Sequence, residues 1–532
     1  MNKLSTAIIT TAFISIIFSC TEDEITSSKS DPLNLILNVQ DVSAYGASDG
    51  AIYLTVEGGT SPYTYLWSNG ATTEDIFNLT ADEYSVIVTD ANQQTAHDTA
   101  TVNEPPLTLI EKLKELDSIT ISEITPQNGY PRQFEIHISQ PLDHNNPNGI
   151  RFHQRIYLSH RDTTAPMVFM PSGYSNRATL ASELGELFNG NQIYVAHRFM
   201  LGAEPSIMDW EYLTVEQAAA DFHRIVEMFK TIYPGKWISY GASKNGDTAL
   251  FHRSFYPDDV EATVVKVAPI SFATEDPRYD SFLSTVGTQE IREKIKRFQI
   301  ELLENRSDII PMLQDFMDNS SYTFSISPGE ILEYETLEYP FAFWQYGVED
   351  IANVPDTGNT AEELFNILVG WRYINYYSDE YMNFYKPFWY QMYTELGYYR
   401  LIDDHLSHLT VDLPTPSYSA FAPRGVTLNF DPSTMIDING WLQSEGNNII
   451  YIYGELDPWT AGAIESTGST NSIKLVQRGA NHSIPFNSLD QETLVYSTLE
   501  NWLNLSISKS TLSRYNLFDD KDVHNRISEF QQ

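Results

Sequence analysis

Cysteine is almost missing: Cys20 is the only one in 532 residues. No disulfide can form within the chain, so packing must hold whatever fold it adopts. Basic residues are scarce as well. The 32 lysines and arginines face 71 acidic residues, giving a net charge of −39, which excludes the positive footprint that a nucleic-acid partner requires. The chain also lacks long apolar runs. The one from Ala7 to Phe18 is too short to span a bilayer, and no other stretch is long and apolar enough. What remains is 42% hydrophobic and 13% aromatic, the makeup of a globular chain of more than one domain.

The start reads as a signal peptide over residues 1–19: Lys3 supplies a positive charge, the apolar run follows, and Ser19 precedes the cut. Cys20 stands at the cut, which resembles the lipobox of bacterial lipoproteins. That resemblance implies lipidation of Cys20, an exported lipoprotein of the outer membrane exposed at the cell surface, and no membrane contact beyond the lipid. Residues 20–30 form an acidic tether. Its Thr21-Glu22-Asp23-Glu24 resembles the export tag of surface lipoproteins.

Residues 31–104 carry short alternating runs, Ala51 to Val56, Tyr63 to Trp67 and Tyr84 to Thr89, separated by glycine and asparagine turns. That spacing predicts a small all-β sandwich domain. Gly58-Gly59-Thr60-Ser61-Pro62-Tyr63, Trp67-Ser68-Asn69-Gly70 and Val88-Thr89-Asp90 resemble the SprB-type repeat of surface adhesins, which implies a spacer. Glu104-Pro105-Pro106 reads as a linker.

From residue 105 on, strands alternate with helices, which predicts a parallel sheet covered on both faces. The strands are expected at Met167 to Met170, Ile193 to Ala196, Trp237 to Tyr240, Ala262 to Ala268, Asn448 to Tyr453 and Ile473 to Val476. The central motif is Gly241-Ala242-Ser243-Lys244-Asn245-Gly246, a strand running through a sharp turn into a helix. Such an elbow lifts the serine oxygen off the sheet, so Ser243 is the candidate nucleophile. Asn245 takes the place of the usual glycine and is expected there for its tolerance of positive φ. Two later strand ends supply the partners in the order the fold demands: Asp457, with Glu455 as rival acid, and then His482. The Lys244 backbone N–H, with that of Gly173 or Tyr174, is expected to form the oxyanion site. This chemistry uses no cofactor and no metal.

Ala196-His197-Arg198-Phe199, Tyr212 through Asp221 and Gly241-Ala242-Ser243-Lys244 resemble the secreted prolyl tripeptidyl aminopeptidases. With Trp389-Tyr390-Gln391, Thr394-Glu395 and Gly454 through Trp459, they are more distantly similar to the lysosomal Pro-X carboxypeptidase and dipeptidyl-peptidase family. The resemblance implies an α/β-hydrolase fold with a helical cap and peptide substrates cut after proline or a small residue. The hydrolase domain is expected over 105–274 and 430–507. The cap fills 275–429, since the roughly 180 residues between two neighbouring strands are far too many for a loop. The aromatics of the cap suit a proline slot, with Trp389, Gln391 and Glu395 as the residues that match the distant relatives. An aminopeptidase must also grip a free ammonium, and Glu204 and Glu395 are the carboxylates expected to do so. An esterase or lipase-like hydrolase, a Pro-X carboxypeptidase and a non-catalytic adhesin remain alternatives. The polar tail, 508–532, has no motif.

Overall fold

A computed structural model of the chain describes residues 31–507 except 128, 348–349 and 372–373. The expected signal peptide and tether, with Cys20, and the expected tail lie outside the described residues. Two compact units divide after Glu111.

The first unit consists of two three-stranded antiparallel sheets. Strands Asn34–Gln40, Gly50–Glu57 and Ile76–Leu79 make one sheet; Thr64–Trp67, Asp82–Thr89 and Thr95–Val102 make the other. Ile52, Leu54, Trp67, Val86 and Val88 point into a core that both sheets share. The alternation of buried and exposed positions along Asp82–Thr89 follows from the period of two in an extended chain.

The second unit is built on a nine-stranded sheet. Its order is Ile473–Gln477, Ile449–Gly454, Ala262–Lys266, Trp237–Ala242, Met167–Pro171, Asn191–Val195, Arg151–His160, Arg132–Pro141 and Ile119–Ile124. The first six run parallel and the last three antiparallel. The sheet is therefore mixed, where the sequence predicts a parallel one: 105–160 adds three long strands that the spacing does not reveal. The inner strands Ala262–Lys266 and Ile449–Gly454 are buried throughout and rich in Val and Ile, as helices on either side require, whereas the edge strand Ile473–Gln477 is only partly buried.

Between Lys266 and Ile449 the chain leaves the sheet to form a largely helical cap. Its helices include Pro277–Leu283, Gln289–Glu304, Arg306–Asp318, Pro328–Tyr346, Ala361–Trp371 and Asp379–Gln391. The charged amphipathic stretch from Glu290 to Asn319 forms two helices, and Asn305 ends one and begins the next. Pro328–Tyr346 is buried nearly all round. Pro340 inside it has no N–H for the Thr336 carbonyl, and buried Gln299 donates to that oxygen instead, at 2.7 Å.

Candidate active site

Strand Trp237–Ala242 runs into helix Lys244–Phe255 through Ser243, whose φ of 54° and ψ of −136° fit neither element. A non-glycine residue so placed is strained and persists only where its surroundings enforce it. They do. A Cβ on Gly241 would come within 2.3 Å of the Asn245 carbonyl oxygen, so only glycine lets the turn close. The expectation for Asn245 is corrected. The positive φ falls on Ser243 itself, while Asn245 is helical and acts through its side chain. Its amide oxygen accepts from the Gly173 N–H at 2.7 Å and the Ser172 hydroxyl at 3.2 Å, tying the loop after Met167–Pro171 to the elbow.

Asp457 follows strand Ile449–Gly454 and caps the short helix Pro458–Gly462, accepting from the Trp459 N–H at 3.2 Å. His482 lies beyond strand Ile473–Gln477. The two loops are joined by backbone bonds from Leu456 to Ala480 and from Glu455 to Gln477. Gly454 lets them approach, since a Cβ there would sit 2.3 Å from the Asn481 carbonyl oxygen. His482 Nδ1 stands 2.8 Å from Asp457 Oδ2, and both residues are buried. The rival acid, Glu455, is exposed and accepts from the Gly479 N–H instead. The His482 N–H donates to the Gln345 carbonyl at 3.0 Å, fixing the histidine loop to the cap. Ser243 and His482 line one cavity of about 450 Å³ between sheet and cap.

At the expected oxyanion site, the Lys244 N–H opens the helix, where no intrahelical acceptor exists. Gly173 and Tyr174 do not present theirs: the Gly173 N–H is taken by Asn245, and the Tyr174 N–H donates to Ser172 Oγ at 2.9 Å. The Lys244 side chain is a clamp that sequence reasoning missed. Its buried Nζ donates to the Gly173 carbonyl at 2.9 Å and to Gln391 Oε1 at 3.0 Å. Burial lowers its pKa to about 8, against the pull of Asp247 and Glu395.

The expected substrate residues separate. Trp389 lines the cavity, stacked on Tyr418 with ring centroids 5.0 Å apart. Gln391 is not among the lining residues, because its amide is turned to Lys244. Glu395 also lies outside the lining and accepts from the Val215 N–H at 2.9 Å, capping helix Val215–Lys230. Burial raises its pKa to about 7 despite the Val215 and Thr434 donors. Glu204 is exposed and borders a different cavity with Met208, Trp210 and Lys386. Neither glutamate is among the residues that line the Ser243 cavity. Sequence reasoning also missed two carboxylates that do line the cavity, Asp247 and Glu338. The available signal for Glu338 was an acid within a run of aromatics on a helix with no polar face.

The residues of Ala196 through Phe199 are scaffold. Buried Arg198 makes a two-pronged pair with Asp221 at 2.7 and 2.9 Å, and His144 joins at 2.7 Å. Burial lowers the pKa of His197 to about 3, which leaves it a neutral core histidine.

Strand order and elbow define an α/β-hydrolase fold. Residues 104–511 match the family model described as PS-10 peptidase S37, and the chain belongs to that family of serine peptidases. Residues 36–72 match the SprB repeat. A prolyl tri/tetrapeptidyl aminopeptidase of Streptomyces mobaraensis is 30% identical over 391 residues, 72% of this chain and 82% of the relative. Among solved structures, a proline iminopeptidase of Mycobacterium smegmatis aligns with TM-score 0.34 and 11% identity, over 69% of this chain and 97% of its own. A proline iminopeptidase-related protein of Thermus thermophilus gives 0.29 and 11%, over 70% and 99%. Both structural likenesses are slight, and the fold rests on the strand order itself.

Proposed function

We propose that the chain is an exported, lipid-anchored exopeptidase that releases short peptides from N-termini, cutting after proline through a Ser243–His482–Asp457 triad. The observation that carries this reading is the buried 2.8 Å contact of Asp457 with His482, which lines the same cavity as Ser243. The name of the Streptomyces relative supports the N-terminal direction and the proline. Ser243 Oγ attacks the carbonyl carbon before the scissile nitrogen and passes its proton to His482 Nε2. Asp457 fixes the tautomer with the proton on Nδ1 and stabilises the imidazolium. Collapse of the tetrahedral intermediate breaks the C–N bond, and the leaving amine takes the proton from His482. Water then repeats the sequence on the acyl-enzyme. The Lys244 N–H receives the oxyanion. A second donor from Gly173 or Tyr174 requires that N–H to exchange its present partner for the oxyanion. The cap excludes folded protein and admits loose chain ends, and aromatic walls such as Trp389 and Tyr418 suit a flat proline ring. Lipid on Cys20 would hold the enzyme outside the cell.

The test is labelling with a fluorophosphonate. One adduct on the peptide carrying Ser243, absent in Ser243→Ala and suppressed in His482→Ala, is the expected result. An unlabelled Ser243 would remove the triad.

A further inference from the structure

We infer that Asp247 is a specificity-determining residue, whose carboxylate receives a cationic nitrogen of the substrate close to the scissile bond. This deepens the proposed function and rests on it for the place of that bond. Asp247 is 7% exposed and lines the cavity that contains Ser243. Its Oδ1 is buried and has no hydrogen-bond partner among the described residues. Buried polar atoms are nearly always paired, because an unpaired one loses its hydration for nothing in return. The missing partner of Asp247 is therefore assigned to what enters the cavity. The other charged groups of the lining are occupied. Glu338 accepts from the Tyr399 and Tyr418 hydroxyls, His482 pairs with Asp457, and Lys244 spends its Nζ on the Gly173 carbonyl and on Gln391 Oε1. Among the described residues no other lysine or arginine lines the cavity, so its field favours a cation over an anion.

The elbow helix sets the distance. Ser243 caps helix Lys244–Phe255, and Ser243, Asp247 and Phe251 follow one another at intervals of four and all line the cavity. Residues so spaced share one helix face. At 1.5 Å per residue, Asp247 stands about 6 Å along the axis from Ser243, and Phe251 as far again. An extended peptide rises about 3.3–3.6 Å per residue, so that interval spans fewer than two residues from the carbonyl attacked by Ser243. Two kinds of cation fall within it: the amino terminus of a released dipeptide, and the side chain of a lysine or arginine that adjoins the proline. Phe251, one turn beyond the acid, offers a ring against which the cation packs. Burial holds the Asp247 carboxyl well above the usual carboxylate range, against the pull of Lys244. An arriving cation supplies the missing partner, and the carboxyl gives its proton to solvent as the pair forms.

The experiment measures binding by calorimetry in the Ser243→Ala background, so that it does not depend on turnover. One arm compares lysine with acetyl-lysine placed immediately before or immediately after the proline of an N-acetylated peptide. The other compares Ala-Pro-Ala with its N-acetylated form. The charged member of a pair is expected to bind more tightly by on the order of tenfold or more in at least one arm, and Asp247→Asn to abolish that preference. The arm that responds identifies the cation as side chain or terminus. Asp247→Ala removes the acid without adding volume and covers the case in which the asparagine variant does not fold. A preference that survives both substitutions, equal weakening of charged and neutral peptides, or no preference in either arm would overturn the assignment. Failure of fluorophosphonate labelling would instead remove the triad and leave this binding result standing.

Discussion

The sheet and the cap place their groups by different means. On the sheet, Ser243, Asp457 and His482 are set by backbone: a forced turn, a helix cap and two loops joined by main-chain bonds. In the cap, Trp389, Tyr399 and Tyr418 are set by one another's rings, with Trp389 stacked on Tyr418 and Tyr399 stacked on Phe341 at 3.7 Å. A backbone device tolerates almost no change at its tight points. A packed aromatic wall can exchange one ring for another and reshape the pocket.

Substitutions on the sheet side should therefore have the larger effects. Ser243→Ala is expected to lower kcat by on the order of 10⁶, and Asp457→Asn by roughly 10⁴ through the wrong imidazole tautomer. Glu455→Gln, at an exposed turn, should stay within about twofold of wild type in peptide turnover. If Glu455→Gln lost activity and Asp457→Asn kept it, the assignment of the acid would be reversed. Gly241→Ala comes next. Its Cβ would meet backbone 2.3 Å away, so a cost of roughly 4 kcal/mol or more is expected in urea denaturation. Asn245→Ala removes the acceptor of the Gly173 N–H and should cost about 1–3 kcal/mol. Unchanged stability would show that the loop does not depend on this tie.

A last effect belongs to the cap boundary and depends on pH. The Glu395 carboxyl titrates at about 7 in the folded chain, against an ordinary 4.5. Between those values the folded state holds a proton that the unfolded state has released. Stability from this group is therefore present below pH 4.5 and falls as pH rises to 7, by up to about 3 kcal/mol. Glu395→Gln keeps an acceptor for Val215 and removes the titration, so its urea midpoint should vary less over pH 5–7 than that of wild type. A parallel pH profile would contradict the assigned titration.

The same contrast explains what could be read from the sequence. The elbow, the acid and the histidine announce themselves because backbone devices need particular residues at particular spacings, as Gly241, Asp457 and His482 show. The strands Ile119–Ile124 and Arg132–Pro141 stayed hidden: their partners are set by tertiary pairing, and their alternation is broken by polar residues such as Gln133 and Gln140, which are buried and bonded to neighbouring strands or loops. In the cap the motif residues were visible, but which way they face was not. Gln391 and Glu395 turn toward Lys244 and Val215, while Glu338, on no recognisable motif, meets the cavity. Direction in a packed helical cap depends on which helices adjoin, and a single helix's periodicity does not state that.

Cleavage from the N-terminus is tested most directly by analysis of the products. A proline-containing peptide, free and N-acetylated, is digested by the protein and by Ser243→Ala, and the products are weighed by mass spectrometry. A short N-terminal fragment ending at proline, lost on acetylation and absent with Ser243→Ala, is the expected product. Release of a single C-terminal residue, or no cleavage of any peptide while esters are hydrolysed, would contradict it.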